Sequence, residues 1–323
     1  MQLEESVTPP LYVIIGVTGP LGAAVARRLA SDGQRVRGVN RSGRGDVPEG
    51  VELIGADVKD AAAAGAVCAG AAVVFQCASA PYMDWRDTDA PKPLRWTNEA
   101  DHLPAITEGI IAGAARAGAR IVYGDNHYMY GPVDGPLTED MPWDAQDEKG
   151  LVRAAVARRL LDANGKGEVA ATIGCASDFF GPQVLNSTVG DRLFEPALRG
   201  ETIEILGQPD ALHTYSFIDD VARGLITLAS RQAALGRVWN LPNSPPVSPR
   251  HFYAIASEEA GADATLAVGD DRLREAHGYE AHLMDRPFIV DHTRFATAFG
   301  AEVTPLRQAI GQTVQWFRDR TQD

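Results

Sequence analysis

The chain has 323 residues, 45% of them hydrophobic, enough for one large two-lobed unit or two small domains. Its formal charge is −13 and its arginines are scattered, which excludes a nucleic-acid surface, because neutralising phosphates takes clustered cations. The longest apolar runs, such as Ala71 to Phe75, are strand-sized, so no membrane partner is expected.

In chain order, the acidic stretch Met1 to Pro10 lacks the basic start and apolar middle of a signal peptide and reads as a short lead-in. Leu11 to Gly16 reads as a buried strand, Leu21 to Ser31 as a helix ending at Asp32-Gly33, and Arg35 to Asn40 and Val51 to Gly55 as further strands. Ala61 to Ala69 is helical, Val73 to Cys77 extended, Leu103 to Ala117 helical and Arg120 to Tyr123 extended. A helix from about Lys149 to Ala163 feeds the strand Val169 to Gly174. Such alternation predicts an α/β fold, a Rossmann doubly wound parallel sheet covered on both faces.

Beyond this point the pattern loosens. Ser177 to Pro209, rich in Gly, Pro and aromatic residues, reads as loops with small elements. Phe217 to Ser230 opens with Asp219 and Asp220 and continues as a helix, the carboxylates suiting its N-terminus. Val238 to Leu241 is a short strand and Pro249 to Gly261 a helix. In the last helix, Pro305 to Arg318, Leu306, Ile310, Val314 and Phe317 share one face. The expected organisation is a Rossmann domain over 1–175, with returns near 215–245, and a smaller C-terminal lobe over 176–323.

The sharpest motif is Gly16-Val17-Thr18-Gly19-Pro20-Leu21-Gly22, between the first strand and the first helix. Gly16 permits the tight turn, Gly19 lets the backbone approach a pyrophosphate, and Gly22 removes a side chain where helix meets strand. The helix N-terminus then faces the anion. NAD-binding turns carry an acid at the end of the second strand for the ribose 2′-hydroxyl. Here that end reads Val39-Asn40-Arg41-Ser42, with Arg44 behind it and no acid, and a guanidinium at Arg41 suits a 2′-phosphate; NADP(H) is the expected cofactor. Asp57 and Val58, after the third strand, are expected at the adenine edge.

The glycine turn, Gly55-Ala-Asp-Val58, Phe75-Gln-Cys77-Ala78, Tyr130-Gly131-Pro132, Phe179-Phe-Gly-Pro182 and Ile218-Asp-Asp-Val-Ala222 together resemble the extended short-chain dehydrogenase/reductases, the epimerase/dehydratase-like branch, over roughly residues 11–245. The resemblance implies a Rossmann domain with a small substrate lobe, places Cys77 and Ala78 along the cofactor, and implies a catalytic Ser or Thr after the fifth strand with a Tyr-x-x-x-Lys pair on the next helix. This chain departs from that set. Counting back five from Gly131 puts Asn126 at the serine position, and Lys149-Gly-Leu-Val-Arg153 fills the Tyr-x-x-x-Lys frame. The i, i+4 spacing keeps Lys149 and Arg153 on one helix face. Arg153 is expected to bind the ribose hydroxyls, and Asn126 to donate to a developing alkoxide.

Three functions are compatible with these residues. The first is an atypical NADPH-dependent ketoreductase acting on a small aromatic or polyketide-like molecule, as in antibiotic biosynthesis, its proton coming from His127, Tyr128, Lys149, water or a substrate hydroxyl. Tyr82, Tyr128, Phe180, His213 and Tyr215 are the expected substrate contacts. The alternative is a sugar-nucleotide epimerase or dehydratase, or a steroid-type isomerase; the third is an inert NADP-binding sensor. No metal site is expected, since the lone histidines lack ligand spacing. Cys68, Cys77 and Cys175, odd in number, suit a reducing cytoplasm. Both monomer and homodimer remain open.

Overall fold

The computed structural model describes residues 9–80, 94–271, 273 and 283–321, and of residues 94–98 the backbone alone. Seven parallel strands form the central sheet: β1 (Leu11–Ile15), β2 (Arg35–Asn40), β3 (Val51–Gly55), β4 (Ala71–Gln76), β5 (Arg120–Asp125), β6 (Ala171–Cys175) and β10 (Val238–Asn240). Their order is β10-β6-β5-β4-β1-β2-β3. The order reverses between β1 and β4, and a crevice opens at such a switch point beyond the carboxyl ends of the strands.

Helices cover both faces, as near-continuous apolar strands require. On one side lie α1 (Pro20–Ser31) and α6 (Ile218–Ser230), packing Val25, Leu29, Leu225 and Leu228 on Ile14, Phe75 and Val122. On the other lie α2 (Ala61–Cys68), α3 (Leu94–Ala117) and α4 (Glu148–Gly165), with Val67, Ile110, Ala114 and Leu160 against Val13, Val74 and Ile121. Local chemistry starts these helices where the sequence says. Pro20 is the first residue of α1, where its missing N–H costs nothing, and Asp60 and Asp147 accept from the first-turn amides of α2 and α4.

A second apolar core gathers later segments: α5 (Asp191–Arg199), α7 (Pro249–Ala260) and α9 (Leu306–Arg320) pack Leu193, Phe194, Phe252, Ile310, Val314 and Phe317 together. Short parallel pairs flank it, β7 (Phe179–Phe180) with β9 (Ser216–Phe217) and β8 (Ile203–Ile205) with β11 (Leu266–Val268). The chain then returns to the first core through α8 (Thr293–Phe299), whose Phe295 and Phe299 pack on Trp239.

Three helices differ from the expectation. α3 starts at Leu94, nine residues before Leu103, and carries Pro104 inside it. Its added turns are tied down by Glu99, whose carboxylate Arg153 of α4 grips with two hydrogen bonds. α5 falls within the stretch expected as loops, despite Pro196, because Leu193, Phe194 and Ala197 are buried in the second core. α8 has only seven residues and was not expected. Tertiary packing stabilises helices this short, since propensity alone does not. Among the described residues no helix is long and apolar enough to cross a membrane.

Candidate active site

At the carboxyl end of β1 the glycine turn is fixed by backbone contacts. Gly16 has φ +84°, its N–H donates to the Val39 carbonyl at 2.8 Å, and a Cβ there would stand 2.7 Å from the Ala78 backbone. A Cβ on Gly22 would stand 2.2 Å from the Gly16 carbonyl oxygen. Only glycine fits at either position. Gly19 is the cap residue of α1, and no side chain satisfies the first-turn amides of that helix. A helix start left uncapped by side chains, next to a glycine-bearing turn, suits an anion.

The neighbouring strand ends complete this half of the site. Cys77 and Ala78, both half-buried, follow β4, with the Cys77 N–H on the Ile15 carbonyl at 2.9 Å. Asn40 ends β2 and shapes the loop beyond it: its amide donates to Thr18 Oγ1 at 3.2 Å and to the Arg44 carbonyl at 2.7 Å, and accepts from the Gly43 N–H at 2.6 Å. Arg41 and Arg44 are exposed on that loop. Asp57 is exposed and Val58 buried beside them.

The other half lies where β5 ends. Asn126 is half-buried and takes the Tyr128 N–H on its Oδ1 at 3.2 Å. Lys149 and Arg153 are both buried on α4, but they turn to different partners. Lys149 Nζ lies 3.8 Å from the centroid of the Tyr128 ring. Arg153 is held inward: Nε and Nη2 each meet a Glu99 oxygen at 2.9 Å, and Nη1 meets Asp125 Oδ1 at 2.5 Å and the Tyr123 hydroxyl at 3.5 Å. The guanidinium expected at the ribose is thus turned to two carboxylates. Burial pushes the Asp125 carboxyl above the ordinary range, against the pull of Arg153, and its Oδ2 has no hydrogen-bond partner. Burial also raises Tyr123 well above the ordinary phenol.

His127, a candidate proton donor in the sequence, is 5% exposed and bonds Asn240 Oδ1 through Nε2 at 3.0 Å. Burial pushes its pKa down to about 4, despite that bond, so the ring is neutral near pH 7.

Residues 12–241 match the model of the NAD dependent epimerase/dehydratase family. The chain belongs to that family. Solved structures with the same fold include an epimerase from the methanogen Methanothermobacter thermautotrophicus, 18% identical over 97% of this chain and 94% of that one, with a TM-score of 0.82. A double mutant of the dTDP-glucose 4,6-dehydratase of Streptomyces venezuelae, solved with NAD, is 16% identical over 96% and 98%, with a TM-score of 0.78. The UDP-glucose 4-epimerase of Thermotoga maritima, solved with UDP-glucose, is 17% identical over 96% and 99%, with a TM-score of 0.78. At such identities the likeness is one of fold. No curated protein matches the chain in sequence.

Both clusters, the glycine turn and the β5–α4 corner, lie at carboxyl ends of parallel strands in the one sheet. The remaining candidates lie in the second lobe. Phe180 is fully buried, 5.0 Å from the Phe252 ring and 5.5 Å from Phe217. Tyr215 is fully buried 4.6 Å from Phe252, and its hydroxyl lacks a partner. His213 is 1% exposed, its Nδ1 lies 4.0 Å from Asp178 Oδ2, and burial pushes its pKa down to about 4. Phe288 bridges the regions, 5.8 Å from the His127 ring and 6.3 Å from His213. Tyr82 lies outside the described residues. No group of three metal-ligating side chains occurs among the described residues.

Sequence reasoning missed Glu99 and Asp125. Asp125 carried a signal, an acid closing an otherwise apolar strand. Glu99 carried none, because its helix was expected to begin after it.

Proposed function

We propose that the chain is a nicotinamide-dinucleotide-dependent enzyme that moves a hydride at an oxygen-bearing carbon of a sugar nucleotide, as an epimerase or a dehydratase does. The observation that carries this reading is that the glycine turn after β1 and the Asn126, Lys149 and Arg153 frame after β5 both lie at carboxyl ends of strands in one parallel sheet. Family membership supports it, and so do solved relatives whose names are those of epimerases and dehydratases acting on UDP- and dTDP-sugars.

The residues present fit a dinucleotide. Gly16, Thr18, Gly19, Pro20, Leu21 and Gly22 would line the diphosphate, with the first-turn amides of Leu21 and Gly22 donating to it, since any Cβ at Gly16 or Gly22 would break the turn. Asp57 and Val58 would border the adenine, and Cys77 and Ala78 would wall the crevice. Arg41 would pair with a 2′-phosphate, which makes NADP(H) the proposed form. When bound, the nicotinamide supplies the hydride chemistry. Asn126 would donate its amide to the substrate oxygen as charge develops there. Arg153, clamped by Glu99 and Asp125, would hold the first turns of α3 and α4 in register beneath the site.

A second reading, an NADPH-dependent ketoreductase on an aromatic or polyketide-like substrate, is favoured by two observations: exposed Arg41 and Arg44 follow β2 where an acid would mark NAD, and a lysine stands in the tyrosine frame. One assay separates the two. UDP-glucose and dTDP-glucose are incubated without added NADPH and followed by chromatography, in parallel with aryl ketones plus NADPH followed by absorbance. The first reading expects sugar-nucleotide turnover without net NADPH use; steady NADPH oxidation with the ketones alone overturns it in favour of the second.

A further inference from the structure

α4 supplies no phenol, yet one stands beside the lysine that replaces it. Tyr128 opens the short 3-10 turn Tyr128–Tyr130 two residues after Asn126, and Lys149 Nζ lies over its ring at 3.8 Å. The pairing is built in. The Tyr128 N–H is bonded to Asn126 Oδ1 at 3.2 Å, so the ring and the amide at the serine position share one turn. The first turn of α4 rests on that turn: a Cβ on Gly150 would stand 2.5 Å from the Tyr128 carbonyl oxygen, and Asp147, the helix cap, fixes the Gly150 N–H at 2.9 Å. Lys149 is buried at 8% exposure, whereas Tyr128 is only half-buried.

The other groups nearby are bonded elsewhere or sealed from solvent. His127 is turned to Asn240, away from any role as a cationic donor near neutrality. Asp125 is fully buried and gripped by Arg153, as is Glu99 on its other side. Tyr130 is fully buried against Trp143.

Resting on the reading that this site moves a hydride at an oxygen-bearing carbon, we propose that Tyr128 is its proton carrier, doing from the turn after β5 the work that the family gives a tyrosine on the helix. Lys149 is the positioning residue that lies against its ring. In the oxidising direction the Tyr128 phenolate oxygen takes the proton of the substrate hydroxyl and becomes a phenol. The freed electron pair forms the C=O bond, and the hydrogen on the same carbon leaves as hydride for the oxidised nicotinamide. A bound dinucleotide would supply the two-electron acceptor, which balances the step, and in the reverse direction Tyr128 would return the proton. A cation over the ring face is attracted more strongly to the electron-rich phenolate than to the neutral phenol, so it favours the proton-accepting form.

The test uses the full chain as wild type, Tyr128→Phe, Lys149→Met and Lys149→Arg. Tyrosinate absorbance followed through an alkaline titration is expected to show one of the eight tyrosines ionising ahead of the rest. That early component is expected to vanish in Tyr128→Phe, to merge with the others in Lys149→Met, and to persist in Lys149→Arg. UDP-glucose with NAD+, and acetophenone with NADPH, serve as kinetic probes. On whichever the wild type turns over, Tyr128→Phe is expected to lower kcat by about 100-fold or more with KM and dinucleotide Kd within about twofold, the scale of lost acid–base catalysis. A titration curve unchanged in Tyr128→Phe, or a kcat within about threefold of wild type, overturns the assignment. If neither probe reacts, the titration alone decides. A wild type that binds no dinucleotide removes the hydride reading itself, and is told apart because the titration needs no dinucleotide.

Discussion

The two ends of the candidate site are made of different materials. At the α1 end, the proposed recognition lies in the backbone: Gly16 and Gly22 are held by contacts in which a Cβ would meet main-chain atoms at 2.7 Å and 2.2 Å. The α4 end is built of side chains: Asn126, Tyr128 and Lys149 form one group, and Arg153 is held by Glu99 and Asp125. A backbone site tolerates few changes, because the atoms in the way are the fold itself. A side-chain site can exchange its chemistry while the i, i+4 frame on the helix stays in place.

The comparison can be broken most forcefully at Arg153. Replacing it with alanine leaves two carboxylates buried without their cation, which is expected to lower stability by about 3–5 kcal/mol in urea unfolding. Arg153→Lys keeps the charge but not the two-pronged fork, so its loss should be smaller. An unchanged unfolding midpoint with weakened dinucleotide binding would instead return Arg153 to the ribose.

Next in size is the pH response. His127 and His213 both fall to about 4 in the folded chain, from about 6.5 when unfolded. Between these values the unfolded chain binds protons that the folded chain refuses. Stability is therefore full above about pH 6.5 and is lost as pH falls toward 4, by up to about 3 kcal/mol for each histidine. His213→Leu should flatten part of that slope; an identical slope would show that His213 is not held neutral.

At the backbone end, Gly22→Ala is expected to weaken dinucleotide binding by about 100-fold, or about 2.7 kcal/mol, in fluorescence titration. Retained affinity would mean that the turn yields more than its contacts suggest. Smallest is Arg41→Asp, expected to cost NADP about tenfold more affinity than NAD. Equal losses would show that Arg41 does not read the 2′-phosphate.

Legibility follows the same division. The strands starting at Leu11, Arg35, Val51 and Arg120 were readable because buried parallel strands are short apolar runs between turns. The glycine turn was readable because sterics leave one residue type at Gly16 and Gly22. The first turns of α3 were hidden, since they depend on Glu99 meeting Arg153 across 54 residues. α5 and α8 were hidden because nine- and seven-residue helices form only on the cores they bury. The ring of Tyr128 under Lys149 was hidden for the same reason: nothing local in the sequence joins residues separated by a loop and a helix cap.

The central claim, that the turn after β1 receives a nicotinamide dinucleotide, is tested most directly by isothermal calorimetry of the wild-type chain with NADP+, NADPH, NAD+ and NADH. The account predicts saturable binding of one dinucleotide per chain, stronger for the 2′-phosphorylated pair. Heats no larger than dilution with all four would contradict it.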